Sequence, residues 1–135
     1  NSYGKQGTSS LTENSFYYQY FNNAKKVFEN KNVKFLVFTG GKRGTDNNKA
    51  DIEWCKQNFQ GDKFLFSEGK SAMEDFSLIM SCDHNIVSHV SSFGWWAAYL
   101  NNNDSKKVVA PLKYHPDRLD IDYRMGFYPE GWTLV

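Results

Sequence analysis

Cysteine is scarce in this chain of 135 residues: Cys55 and Cys82 are the whole complement, too few for a disulfide framework or a four-thiolate zinc site. Proline is equally sparse, three residues in all and none before Pro111. Charge of either sign is not in excess. Sixteen Lys and Arg stand against fifteen Asp and Glu, a formal net charge of +1, so no basic field drives nucleic-acid binding and no run of like charges forms a tail. No stretch approaches the eighteen or so apolar residues of a membrane span, and no signal-peptide pattern is visible. Glycine forms neither a Gly-x-Gly-x-x-Gly nor a phosphate-loop motif, since Gly40, Gly41 and Gly44 are too irregularly spaced. His84, His89 and His115 have no metal-cluster spacing, so no metal is expected. No Ser–His–Asp grouping can be read from spacing either, because such triads assemble in space. An initiator Met is also missing, and a chain opening at Asn1 reads as a cut from something longer.

What the chain has in quantity is aromatic rings. Eleven Phe, eight Tyr and four Trp make up 17% of it, within a 40% hydrophobic content that argues against disorder. A chain of this length is one domain and hides about two-thirds of the surface its unfolded form exposes.

The apolar residues are periodic. Phe16, Tyr17, Tyr20, Phe21, Ala24, Val27 and Phe28 recur at three- and four-residue intervals behind a capping-box pair, Ser10 and Glu13, which predicts a helix over about 13–29. Val33 to Thr39 is a β-rich run stopped by Gly40-Gly41, and Lys42 to Lys49 reads as a loop. Helix, strand and helix follow at 50–59, 63–66 and after Ser71, where Glu74 gives a second capping box. A strand near 85–88, a helix near 92–101 and a strand at 108–110 complete the series. Residues 1–12 read as a loop and 112–135 as an irregular tail, although Trp132 to Val135 could pack on the body. Strands alternating with helices at this spacing predict an α/β Rossmann-like three-layer sandwich with a mostly parallel sheet. Ligands in such sheets bind beyond the carboxyl ends of the strands, which points to Thr39–Asp51, Ser67–Asp75 and Ser88–Phe93.

Several residues there admit two readings. Ser91 and Ser92 open a helix, where they either cap it or, with its N–H groups, receive a phosphate. Asp75 is either a first-turn acid favoured by the helix dipole or a carboxylate accepting from the paired N–H donors of a purine such as guanine. Asp46 and Asp51 could hydrogen-bond a ribose, or serve as a loop charge and a helix cap. Cys55 and Cys82 read as buried thiols, and Trp95-Trp96 as core rather than a stacking platform.

Taken together, Phe38-Thr39 with Asp51-Ile52-Glu53-Trp54-Cys55-Lys56, then Ser67-Glu68-Gly69 with Glu74-Asp75-Phe76-Ser77-Leu78-Ile79-Met80-Ser81-Cys82, resemble signatures of the α-1,2-fucosyltransferases, glycosyltransferase family 11. The most specific stretch is Ser91-Ser92-Phe93-Gly94-Trp95-Trp96-Ala97-Ala98-Tyr99-Leu100-Asn101, and Lys107-Val108-Val109-Ala110-Pro111, Tyr128-Pro129 and Trp132 fit the ending. The resemblance covers about residues 13–135 and implies the C-terminal, donor-binding lobe of a GT-B-type enzyme. That enzyme would transfer fucose from GDP-fucose to a galactose hydroxyl on a glycan, inverting the sugar anomer, with no metal or other cofactor. The resemblance further implies guanine recognition by Asp75, diphosphate contacts by Ser91 and Ser92 beside Phe93, and a place near the nucleoside for Asp51.

Two departures from the pattern carry expectations of their own. The Ser-Asp-Asp element is stretched by an insertion between Thr39-Gly40-Gly41 and Asp51, and the first signature, His-x-Arg-Arg-x-Asp, is absent. Asn1 to Leu11 resembles the loop that follows that signature, so a missing N-terminal lobe of the same protein is expected as partner, and the catalytic base stays unassigned. Without the arginine that would neutralise the leaving diphosphate, the chain by itself is expected to be weak or inactive, by on the order of 10²–10³ in rate or more. A eukaryotic family member would be a single-pass type II membrane protein with its catalytic domain in the Golgi lumen, and Asn103-Asp104-Ser105 is a glycosylation sequon compatible with that. Two other readings stay open: a non-catalytic nucleotide-sugar or glycan-binding module, and another GT-B enzyme such as a protein O-fucosyltransferase.

Overall fold

The computed structural model describes residues 11–40, 42–89, 91–113 and 126–135. Four helices and five short strands alternate along them: α1 (Leu11–Lys26), β1 (Phe35–Val37), α2 (Asp46–Asn58), β2 (Phe64–Phe66), α3 (Ala72–Ser81), β3 (Asn85–Ile86), α4 (Ser92–Tyr99), β4 (Val108–Ala110) and β5 (Thr133–Leu134). Every strand pairing is parallel. β1 pairs with β2, Leu36 opposite Leu65, while β3, β4 and β5 form a second set with Ile86 opposite Val109 and Ala110 opposite Leu134. This is the Rossmann-like α/β arrangement that the alternation predicts.

Helix starts follow local hydrogen-bond chemistry. At α3 the capping box is complete: Glu74 N–H donates to Ser71 Oγ at 3.1 Å, and Ser71 N–H donates back to Glu74 Oε1 at 3.0 Å. The Ser71 backbone N–H on the carboxylate, and after it the Ser71 hydroxyl, favour the charged form and hold the Glu74 pKa below its usual value. The other predicted box depends on Ser10, which lies outside the described residues. At α2 the expected loop is too long, because residues 46–49 are already helical. Thr45 Oγ1 receives the Asn48 N–H at 3.3 Å, so the polar run is the first turn of a capped helix.

The core lies on both faces of β4, the one strand among the described residues that is buried throughout. Val109 faces α1, where it joins Tyr20, Ala24 and Phe28 with Phe35, Ile86 and Val135 around them. Val108 and Ala110 face the other way and pack with Val87 and Ala98, backed by Trp95, Tyr128, Trp132 and Leu134. Period-2 alternation along one strand thus sets α1 and α4 on opposite sides of it. Tyr20 joins α1 to the sheet polar-wise as well, its hydroxyl donating to Val87 O at 2.5 Å.

Trp96 departs from the core assignment made for Trp95-Trp96. Trp95 is half-buried, its ring 5.6 Å from Trp132 and its Nε1–H donating to Phe127 O at 2.9 Å. Trp96, one residue and about 100° further round α4, is 52% exposed, and Tyr99 is 50% exposed. The C-terminal segment, read as irregular, supplies β5: Val135 N–H donates to Ala110 O at 3.0 Å and Leu112 N–H to Val135 O at 2.9 Å.

Candidate functional site

Parallel strands bring their carboxyl ends to one edge, and there the chain opens a cavity of about 430 Å³. Its walls come from all three segments that the strand-end rule selects: Thr39, Gly40, Arg43 and Asp51 from the first, Ala72 from the second, and Ser88, His89, Ser91 and Phe93 from the third. Phe21 and Lys25 of α1, Trp54 and Cys55 of α2 and Phe59 complete it from the side, so rings and aliphatic carbons dominate the lining. A mainly apolar cleft with few polar groups fits a small organic ligand whose orientation those groups decide.

The first loop is built by its own side chains. Asn48, buried, donates from Nδ2 to Gly40 O at 2.9 Å and Thr39 Oγ1 at 3.3 Å. Thr45 Oγ1 donates to Lys42 O at 2.6 Å, and Gly44, at φ +79°, takes a left-handed turn that costs a side-chain-bearing residue dearly. One turn into α2, Asp51 reaches the cavity while only 5% exposed. Cys55, a turn further on, is pushed up to about 12 by burial and by the Asp51 charge. Burial also raises the Cys82 thiol, with Asp83 adding to it. Both thiols are therefore held protonated and poorly nucleophilic; Cys55 is buried as expected, whereas Cys82 is only half-buried.

At the third loop Ser91 is the N-cap of α4, its Oγ accepting the Gly94 N–H at 3.0 Å. The capping and ligand-binding readings of Ser91 coexist in space, because the same residue lines the cavity. Ser92 occupies the first helical position, is exposed, and does not line the cavity. Phe93 is 40% exposed at the rim, its ring 5.3 Å from Phe76 in an edge-to-face contact. His89 is enclosed by rings, with Phe16, Tyr17 and Tyr20 at 5.1, 4.9 and 4.8 Å. His84 is a brace, its Nδ1 accepting the Lys107 N–H at 2.9 Å, and His115 lies outside the described residues. Asp46 sits in the first turn of α2, exposed.

Asp75 is placed differently from the other site candidates. It is 3% exposed, does not line the cavity, and has both carboxylate oxygens engaged. Ser67 Oγ donates to Oδ1 at 2.6 Å, and Arg43 Nη2 meets Oδ2 at 2.5 Å. Arg43 also donates from Nη1 to Thr39 O at 3.1 Å and from Nε to Lys70 O at 3.2 Å. The sequence reading passed over Arg43, because it lies in the insertion that sets this chain apart. An arginine on a glycine-flanked loop at a strand's carboxyl end is the only hint in the sequence, and a solvated cation would look the same there.

Asn103 stands on the turn after α4, well away from this edge. Its Nδ2 donates to Asp83 O at 2.8 Å and its Oδ1 accepts the Ser105 N–H at 3.1 Å. Among the described residues no group of three His, Cys, Asp or Glu could hold a metal ion, and no helix is long and apolar enough to cross a membrane.

Comparison with known proteins gives the geometry its context. The model of a family described as glycosyl transferase family 11 matches residues 8–135. Galactoside alpha-(1,2)-fucosyltransferase 1 of Homo sapiens is 41% identical over 59 residues, 40% of this chain and 16% of that protein. The same enzyme of Sus scrofa is 37% identical over 59 residues, again 40% of this chain and 16% of that protein. An alpha-1,2-colitosyltransferase of Escherichia coli is 30% identical over 109 residues, 77% of this chain and 33% of that protein. The matched portion thus spans between a sixth and a third of the relatives' own length. No solved structure matches.

Proposed function

The chain belongs to glycosyl transferase family 11, and from that premise we propose that it is the donor-binding lobe of an α-1,2-fucosyltransferase, with GDP-fucose as the ligand of the cavity. The observation that carries the reading is the cavity itself. It lies at the carboxyl ends of parallel strands and is lined by Asp51, Ser91 and Phe93, three of the five donor residues that the resemblance singles out. The flat faces of a nucleotide base stack on rings, which suits walls of Phe and Trp. The diphosphate is the part that needs N–H donors, and the N-terminal turn of α4 offers them with the positive end of its dipole.

In such a transfer the enzyme's task is electrostatic. Negative charge grows on the leaving diphosphate while an acceptor hydroxyl attacks from the opposite face of the sugar. The lobe binds and orients the donor; a galactose-terminated glycan and the deprotonating base belong with the rest of the protein, which we place in the Golgi lumen in a eukaryotic cell. The name of the Escherichia coli relative, a colitosyltransferase, makes the donor sugar the point to test once the nucleotide preference is known.

Titration calorimetry on the purified chain should show GDP and GDP-fucose binding at least tenfold more tightly than UDP or ADP, a difference of about 1.4 kcal/mol. Asp51→Ala should weaken both guanine nucleotides. A chain that binds no nucleotide, or binds UDP as well as GDP, is not a GDP-sugar lobe.

A further inference from the structure

Arg43 and Asp75 form an ion pair whose two members are buried very unequally. The Asp75 side chain is 4% exposed and the Arg43 side chain 29%. Arg43 lines the cavity and Asp75 does not. A carboxylate that reads a purine directly must stand at the wall; here the guanidinium stands there, with the carboxylate behind it. Ser67 Oγ fixes the far oxygen of Asp75, and the carbonyls of Thr39 and Lys70 fix the plane of the guanidinium. An arginine oriented in this way is built to offer charge-assisted hydrogen bonds to an anion.

Two alternatives are weaker on the same geometry. A mere pin for the loop between β1 and α2 needs no face on the cavity, and Asn48 already pins that loop through Gly40 O and Thr39 Oγ1. Lys25 also lines the cavity, yet its Nζ lies 5.4 and 5.2 Å from the ring centroids of Phe59 and Phe64, where cation–π attraction holds it. The α4 N-terminus with Ser91 lines the same cavity as Arg43, so helix dipole and guanidinium favour one sign of ligand charge. Asp75 makes the arrangement affordable: a lone cation facing an apolar cleft is costly, whereas Asp–Arg–phosphate alternates in sign along the row.

We infer that Arg43 is the residue of this pair that meets the donor, binding its diphosphate, and that Asp75 and Ser67 are positioning residues acting through it. The inference rests on the reading of the cavity as a GDP-sugar site. The test is calorimetry of the chain with GDP, guanosine and ADP, on the wild type and on Arg43→Ala, Arg43→Lys and Asp75→Asn, with circular dichroism to verify folding. Arg43→Ala should cut the preference for GDP over guanosine roughly tenfold or more, the worth of one charge-assisted contact, while guanosine affinity moves less than about threefold. Arg43→Lys should restore part of that preference. Asp75→Asn should lower it in the same direction and leave the GDP-to-ADP ratio intact. If Arg43→Ala fails to fold, Arg43→Gln, which keeps a donor amide without the charge, carries the same expectation.

An unchanged GDP-to-guanosine ratio in the arginine variants overturns the assignment. So does an Asp75→Asn protein that loses its preference for GDP over ADP while keeping its dependence on phosphate, because the carboxylate would then be reading the base. Wild-type protein that binds none of the three nucleotides overturns the GDP-sugar reading itself, and this inference with it.

Discussion

Cys55 sits 5% exposed against Asp51, and its thiol is pushed up to about 12 from an ordinary 9.0. In the unfolded chain the same thiol ionises near its ordinary value. Between about pH 9 and pH 12 the folded state therefore holds a proton that the unfolded state has lost. Stability is full below pH 9 and falls as pH rises through that window, by up to about 1.4 kcal/mol per pH unit. Urea titrations at successive alkaline pH values should show this slope, and Cys55→Ala should flatten it. Equal slopes in the two proteins would place the alkaline loss elsewhere. At this scale the sequence was informative about residues whose chemistry is local. Ser71 and Glu74 form the predicted capping box, and Cys55 the predicted buried thiol. Arg43 was illegible, because its partner Asp75 lies 32 residues away and only the approach of the loop between β1 and α2 to the first turn of α3 joins them. Nothing in Gly41-Lys42-Arg43-Gly44 distinguishes a ligand-facing cation from a solvated one.

Among the elements, α4 depends most on a group outside itself. It is eight residues long, and its last two carbonyls are met by one ammonium: Lys106 Nζ donates to Ala98 O at 2.8 Å and Tyr99 O at 3.0 Å, and also to Asn101 O, just past the helix, at 2.8 Å. A cation on a helix C-terminus satisfies carbonyls that lack intrahelical partners and complements the dipole. Lys106→Met should therefore cost about 1–2 kcal/mol, whereas Lys107→Met, at an exposed position, should stay within about 0.5 kcal/mol. Denaturant midpoints of the two variants decide it, and equal values would remove Lys106 from the account. The same cap explains why the helix expected to reach residue 101 ends at Tyr99. Helix periods and caps were legible because each is written within one or two turns. The exposure of Trp96 was not: α4 is apolar on every side, so its sequence could not say which face packs, and the packing of Trp95 on Trp132 across 37 residues decides it.

For the whole molecule, the alternation of elements was enough to predict parallel strands, but not their order or the third partner of the β3–β4 pair. That partner is β5, two residues long and drawn from a segment without periodicity of its own. Its register follows from backbone bonds at Ala110 and Leu112, and from Trp132, whose ring lies 5.6 Å from both Trp95 and Tyr128. β5 covers the edge of β4, the strand on which both halves of the core rest. Deleting Trp132 to Val135 would remove the β4–β5 ladder and the ring beside Trp95, and would leave β4 with a bare edge able to pair with another chain. Several kcal/mol should be lost with these contacts, lowering the thermal midpoint by about 10 °C or more. The truncated chain should also aggregate on heating, which light scattering during the melt would report. Replacing Trp132 alone by Ala keeps the ladder and should cost less than the deletion. If the deletion melted with the intact chain, β5 would be an appendage, and the core would have to be held by α1 and α4 without it.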